Sequence, residues 1–355
     1  MRNIIGWIGL IALGLASSLP STAAEKTGTL WTVASFGTDD YFQEPSDIAV
    51  DTERSLIYVV DAGSARVLVF DFAGRFQKAI GRKGQGPGEF VRPTGACPLA
   101  GGGLAVADVG AGRIEIFDPS GTFLRLVQVT ETRVADLVQA GERFYTVPSF
   151  GMSGHAVTMG SDANNQPLVN VLDGSGKRVL EISTDDFPET HPFIRAIKHR
   201  VSLALSPRGQ LVLAYFAANL IQIFEPTGEK VAEFSRPFPF KPMTPALTGE
   251  RSPEKGVVQM RAELDFVSPA AAFGPDGKLY VLTVTKALAE IRRTDPEMKD
   301  PLPMRFDVLD PETRRVLRTV PCDPGVKAFG VLDGGRLVYV REDAEGELAL
   351  KCVRY

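Results

Sequence analysis

The chain has 355 residues, a formal net charge of −4 from 39 basic and 43 acidic side chains, and 44% hydrophobic residues. That length suits one large domain or two small ones, and the acidic balance argues against a general nucleic-acid binder, which should be basic. The three cysteines, Cys97, Cys322 and Cys352, leave at least one unpaired; a Cys322–Cys352 disulfide and three buried thiols both fit.

Residues 1–24 read as an export signal. Arg2 supplies the positive start, residues 4–16 the apolar stretch and residues 17–24 the small-residue cleavage region. The apolar stretch is short for a membrane span, so the expectation is an exported, periplasmic or extracellular protein with no stable membrane anchor after cleavage.

From about residue 25 onward the pattern is that of β-strands. The run from Asp61 through Arg66-Val-Leu-Val-Phe-Asp71 returns 47 residues later as Asp108 through Arg113-Ile-Glu-Ile-Phe-Asp118. Each copy alternates apolar residues and ends in turn residues, so the unit is made of strands that stack on copies of themselves. Each has four short strands joined by turns, the makeup of a propeller blade. Degenerate copies follow at Leu168, Leu220, Met304 and Leu348. The predicted blades are residues 45–81, 93–129, 134–182, 201–235, 268–320 and 326–355, and the last lacks its outer strand. Residues 29–36 are expected to supply it. The fold class is therefore all-β, a six-bladed β-propeller of four-stranded antiparallel blades closed by the N-terminal strand within residues 25–355.

Asp61, Arg66, Phe70-Asp71, Gly74, Phe76 and the loop Gly81-Arg-Lys-Gly-Gln-Gly-Pro-Gly-Glu-Phe90 resemble an NHL-type repeat. They look most like bacterial exported six-bladed propellers with a Gly-x-Gly-Pro-Gly-Glu-Phe loop between blades. The resemblance implies the fold. Because some such propellers are lactonases, esterases or streptogramin-lyase-like enzymes, it also implies an alternative: a channel-mouth hydrolase or lyase.

The residues favour binding over catalysis. The glycine loop lacks the following helix that a phosphate cradle needs. Asp61 with Arg66 and Asp108 with Arg113 read as structural pairs, each aspartate capping its turn and pairing with its arginine. His155, His191 and His199 have no metal-ligand spacing, so no metal or cofactor is expected, and solvated loop histidines are the expectation. The innermost strand positions read Asp47, Gly95, Ala135, Ser202, Ala270 and Ala328, with Asp136 one step away; that ring offers few ligands for a cation.

Four long excursions, residues 148–166, 183–200, 236–267 and 284–303, fall at one end of the ring, and the turns at the other end are short. Long loops in a compact domain are usually functional or disordered. The expectation is a protein, peptide or cell-envelope polymer bound there, with Arg92, Arg195, His199, Arg200, Arg261, Arg293 and Asp47 as contacts.

Overall fold

Strands that are second from the channel are buried on both faces. Leu104–Asp108, Leu211–Tyr215 and Leu279–Val284 have no exposed residue, whereas the outer strand Phe76–Ile80 alternates half-buried and exposed positions. This gradient is what face-to-face packing of blades produces: inner strands lie between two neighbours, and outer strands meet solvent on one side. The computed structural model describes residues 27–37, 40–129, 133–149, 151–153, 156–158, 167–183, 192–251 and 258–355. The expected export signal, His155 and His191 lie outside the described residues.

Six four-stranded antiparallel sheets result. Blade one comprises Pro45–Asp51, Leu56–Asp61, Arg66–Asp71 and Phe76–Ile80; blade two comprises Pro93–Pro98, Leu104–Asp108, Arg113–Phe117 and Phe123–Gln128. Blade three is Val134–Ala140, Arg143–Pro148, Val169–Leu172 and Arg178–Ile182; blade four is Val201–Leu205, Leu211–Tyr215, Ile221–Phe224 and Lys230–Phe234. Blade five is Ala270–Phe273, Leu279–Val284, Met304–Asp310 and Arg315–Pro321. Blade six takes Val326–Asp333, Arg336–Glu342 and Leu348–Arg354 from the C-terminal end, and its outer strand is Gly28–Val33.

Each innermost strand touches the next in a closed cycle, from Pro45–Asp51 round to Val326–Asp333 and back. The molecule is a six-bladed β-propeller. Closure rests on Gly28–Val33, which pairs with Leu348–Arg354 from Gly28↔Arg354 to Val33↔Leu350. Trp31 fixes it further: its indole donates to the Phe72 carbonyl at 3.1 Å and packs on the core around Phe70 and Cys352. Pairing removes the open edge that strand Leu348–Arg354 would otherwise present. All three cysteines are free thiols.

The excursions carry secondary structure of their own. Hairpins form at Gly151–Ser153 with Ala156–Thr158 and at Ala246–Arg251 with Val258–Glu263, and short helices at Pro192–Lys198 and Leu288–Thr294. The sequence shows no sustained helical period because each helix has only seven residues. No helix among the described residues is long and apolar enough to cross a membrane.

One local irregularity recurs where the innermost strands begin. Pro45, Pro93, Val134 and Val326 each pair with the second strand, one residue then bulges out, and pairing resumes at Asp47↔Val60, Gly95↔Ala107, Asp136↔Val147 and Ala328↔Val340. A bulge re-aims the residue after it. Blade four has none, and Ser202 pairs with Ala214 directly.

Candidate ligand cavity in the channel

The bulges decide which side chains occupy equivalent places around the channel. By register the set is Asp47, Gly95, Asp136, Ser202, Ala270 and Ala328. The sequence reading placed Ala135 in this ring. The extra residue at the bulge moves Ala135 aside and puts Asp136 there, so blades one and three both present a carboxylate.

The polar members of the ring share one geometry. Asp47 accepts the Ala96 amide of blade two at 2.9 Å, and Ser202 accepts the Ala271 amide of blade five at 2.9 Å. Asp136 accepts its neighbour Leu137 at 2.8 Å and also draws on the Leu203 amide of blade four. Each side chain reaches forward to an amide on the free edge of the next inner strand, a donor with no ladder partner. Serine performs this capping in blade four without a charge, so capping alone does not require the two aspartates.

The aspartates bracket blade two at one peptide. Asp47 holds the Ala96 N–H, and a Cβ added at Gly95 would stand 3.1 Å from Asp136 Oδ1. Burial raises the pKa of Asp47 to about 6, opposed by the Ala96 and Ile48 amides. Burial raises Asp136 to about 8, with the Asp47 charge adding to it. At neutral pH the pair therefore holds about one proton between them. Cys97 lies beside both: burial first, then the two carboxylates, push its thiol up to about 12, so it stays neutral.

Above the pair lies a cavity of about 1250 Å³. Asp47, Thr94, Asp136 and Ser202 line it together with Ala96, Ala270 and Phe329. Toward the insertion-bearing end its lining includes Arg92, Arg133, Arg200 and Lys327, with Phe216 and Phe266 beside Arg200. Arg92 is bound to Glu44 and Lys327 to Glu342. The Arg200 guanidinium lies 4.0 Å from the Phe216 ring centroid and has no carboxylate partner among the described residues; desolvation lowers its pKa.

Three of the contacts expected from sequence, Asp47, Arg92 and Arg200, line this cavity. Arg195 sits on the helix Pro192–Lys198 and Arg293 is exposed on Leu288–Thr294; neither lines it. Arg261 pairs with Thr248 across the second hairpin. His199 is a correction: it is 3% exposed, buried at the end of its helix, and is neither solvated nor available to a surface ligand. Sequence reasoning missed Arg133, Lys327 and Thr94 and left Asp136 outside the ring. The recurring three-residue starts Pro45-Ser-Asp, Pro93-Thr-Gly, Val134-Ala-Asp and Val326-Lys-Ala were the available signal. Among the described residues no three His, Cys, Asp or Glu side chains gather as a metal site.

The repeated acid–base residues hold loops, but not as pairs. Asp61 accepts the Gln43 and Glu44 amides and the Ser64 hydroxyl, and Asp108 accepts Val91, Arg92, Gly110 and Ala111. Each thus ties the incoming connection to the end of its blade's second strand. Arg66 turns instead to Asp40 and Ser64. Arg113 turns to Glu115 and to the carbonyls of Gln85, Gly86 and Glu89, while Glu115 takes the Gly88 amide. The glycine loop is so clamped from blade two. At Gly81, with φ of +75°, a Cβ would meet the Phe90 ring at 2.2 Å, which explains that glycine as packing.

The family model described as a six-bladed β-propeller, DUF5128, matches residues 38–97. That stretch covers blade one and the first strand of blade two. A solved structure from Bacteroides vulgatus, a member of the DUF4221 family, is similar at 11% identity with a TM-score of 0.58, over 94% of this chain and 97% of that one. The WD40 β-propeller domain of Doa1 is similar at 10% identity with a TM-score of 0.50, over 92% and 96%. At these identities the likeness is one of fold. No curated protein matches the chain.

Proposed function

We propose that this propeller, of the NHL-type by its blade sequences, is exported and binds a protein, peptide or envelope polymer at its insertion-bearing end, admitting part of the ligand into the channel. The observation that carries the reading is the cavity of about 1250 Å³ opening among Arg92, Arg133 and Arg200 beside Phe216 and Phe266. Ligand pockets run to roughly 300–1,000 Å³, so the space suits a short stretch of polymer. Arginine beside aromatic rings is the composition of binding anchors. The plain end, with turns such as those at Gly209 and Gly277, offers less relief.

Charge reversal tests the face. Arg133→Glu with Arg200→Glu should reduce capture of the native envelope ligand at least tenfold with melting unchanged, while Arg208→Glu on the plain end should not. Undiminished capture by the double variant would contradict the proposal. A channel-mouth hydrolase or lyase is the second reading, favoured by one observation: two carboxylates, Asp47 and Asp136, bracket one peptide at the channel wall, and burial raises the pKa of both toward the range where a group takes and returns a proton. Turnover of a lactone or ester, lost in Asp136→Asn, would establish it.

A further inference from the structure

Among the described residues, Asp47 and Asp136 have no cation beside them, unlike the carboxylates that arginines hold. Asp307 is bound to Arg236 and Arg305, Glu115 to Arg113 and Asp51 to Arg54. The channel pair has only backbone amides for partners, as buried Asp108 and Asp265 do, but unlike those two it lines a cavity wide enough to admit a cation. Beside it the Thr94 hydroxyl is buried at the blade-two bulge, also lining the cavity, with no hydrogen-bond partner among the described residues. At the mouth Arg200 shows the converse: a cation resting on Phe216 with no anion among the described residues. One end of the cavity lacks a cation and the other lacks an anion.

Resting on the binding role proposed above, we infer that the channel takes a short peptide amino end first, its ammonium between Asp47 and Asp136 and its carboxylate or a backbone carbonyl at Arg200. The ammonium has three donors, enough for both aspartates and Thr94. The apolar wall of Ala96, Ala135, Leu203 and Ala270 leaves room for small side chains. Binding replaces the shared proton: the ammonium enters with its charge, the pair becomes doubly ionised, and one proton leaves to solvent. The other ionisable side chains lining the cavity are Arg92, Cys97, Arg133, Arg200 and Lys327, and burial pushes the Cys97 thiol up to about 12.

The test is calorimetry of tri-alanine against the full-length folded protein at pH 7 in two buffers of different ionisation enthalpy. Saturable binding with release of close to one proton is expected. N-acetyl-tri-alanine should bind at least tenfold more weakly, and Asp136→Asn and Arg200→Gln should each weaken tri-alanine at least tenfold. Equal binding of the free and acetylated peptides would overturn the ammonium assignment yet leave ligand entry at the channel mouth standing. Glucosamine binding in place of tri-alanine would overturn the peptide assignment. Absence of binding by either up to millimolar concentration would overturn the inference, whereas the charge-reversal capture experiment judges the wider reading separately.

Discussion

Arg236→Ala should lower the unfolding free energy by about 3–5 kcal/mol, the cost of breaking a buried ion pair by removing one partner. Arg236 follows the outer strand of blade four and inserts into blade five with its side chain wholly buried. Its guanidinium donates to Asp307 at 3.0 Å, Ser268 at 2.9 Å, Thr283 at 3.1 Å and Asn219 at 3.3 Å. The side chain therefore bolts two blades together where no backbone ladder joins them. Truncation leaves the Asp307 carboxylate buried with Arg305 and Thr283 only. At about 2–4 °C per kcal/mol for large domains, the melting midpoint should fall by roughly 10 °C. The double variant Arg236→Met with Asp307→Leu should recover most of the loss, because no carboxylate is then left in the core and Arg305, which is partly exposed, turns to solvent. Calorimetric melting checks both, and a single variant within 1 °C of the parent would contradict this account of the junction.

Deletion of the strand Gly28–Val33 should have an effect of comparable size. It removes the Trp31 indole from the core of blade six and exposes the ladder edge of Leu348–Arg354. Loss of a packed Trp alone costs about 3 kcal/mol or more, and the opened edge invites association between molecules. Cys352, fully buried in the parent, lies on that edge opposite Trp31. Thiol labelling at Cys352 should accelerate at least tenfold, and a peptide spanning residues 27–35 added in trans should slow it again. Labelling at the parent rate would show that the ring is held shut without this strand.

The ring was legible in the chain because its signals are local. Alternating apolar runs and short turns repeat from blade to blade, and a final blade short of one strand leaves one place for the N-terminal run to go. The candidate site was less legible because it depends on register and on distant partners. A single bulged residue exchanges Ala135 for Asp136 at the channel wall, and spacing from the second strand does not reveal it. The Arg66 partner, Asp40, is set by how the N-terminal connection folds over the blade, and the Arg113 partner, Glu115, lies two residues along the same strand; the aspartate five residues upstream, repeated in both copies, seemed the natural mate. His199 looked solvated inside a long excursion, yet it follows the helix Pro192–Lys198, whose Ile194, Ala196 and Ile197 are buried, and is buried with them.

The channel carboxylates are the centre of the functional account, and their cost should be visible as stability against pH. Both pKa values are raised on folding, to about 6 for Asp47 and about 8 for Asp136. A carboxyl with a raised folded pKa contributes stability that is fully present below its unfolded value near 4 and is lost as pH rises through the folded one. The parent should therefore lose stability between about pH 4 and pH 9, and Asp136→Asn, which keeps the shape but cannot ionise, should lose less. Melting midpoints of the two proteins measured from pH 4 to pH 9 decide the matter. The account predicts near-equal midpoints at pH 4 and a variant more stable by about 3 °C or more at pH 9; parallel curves, or a variant that is less stable at high pH, would contradict it.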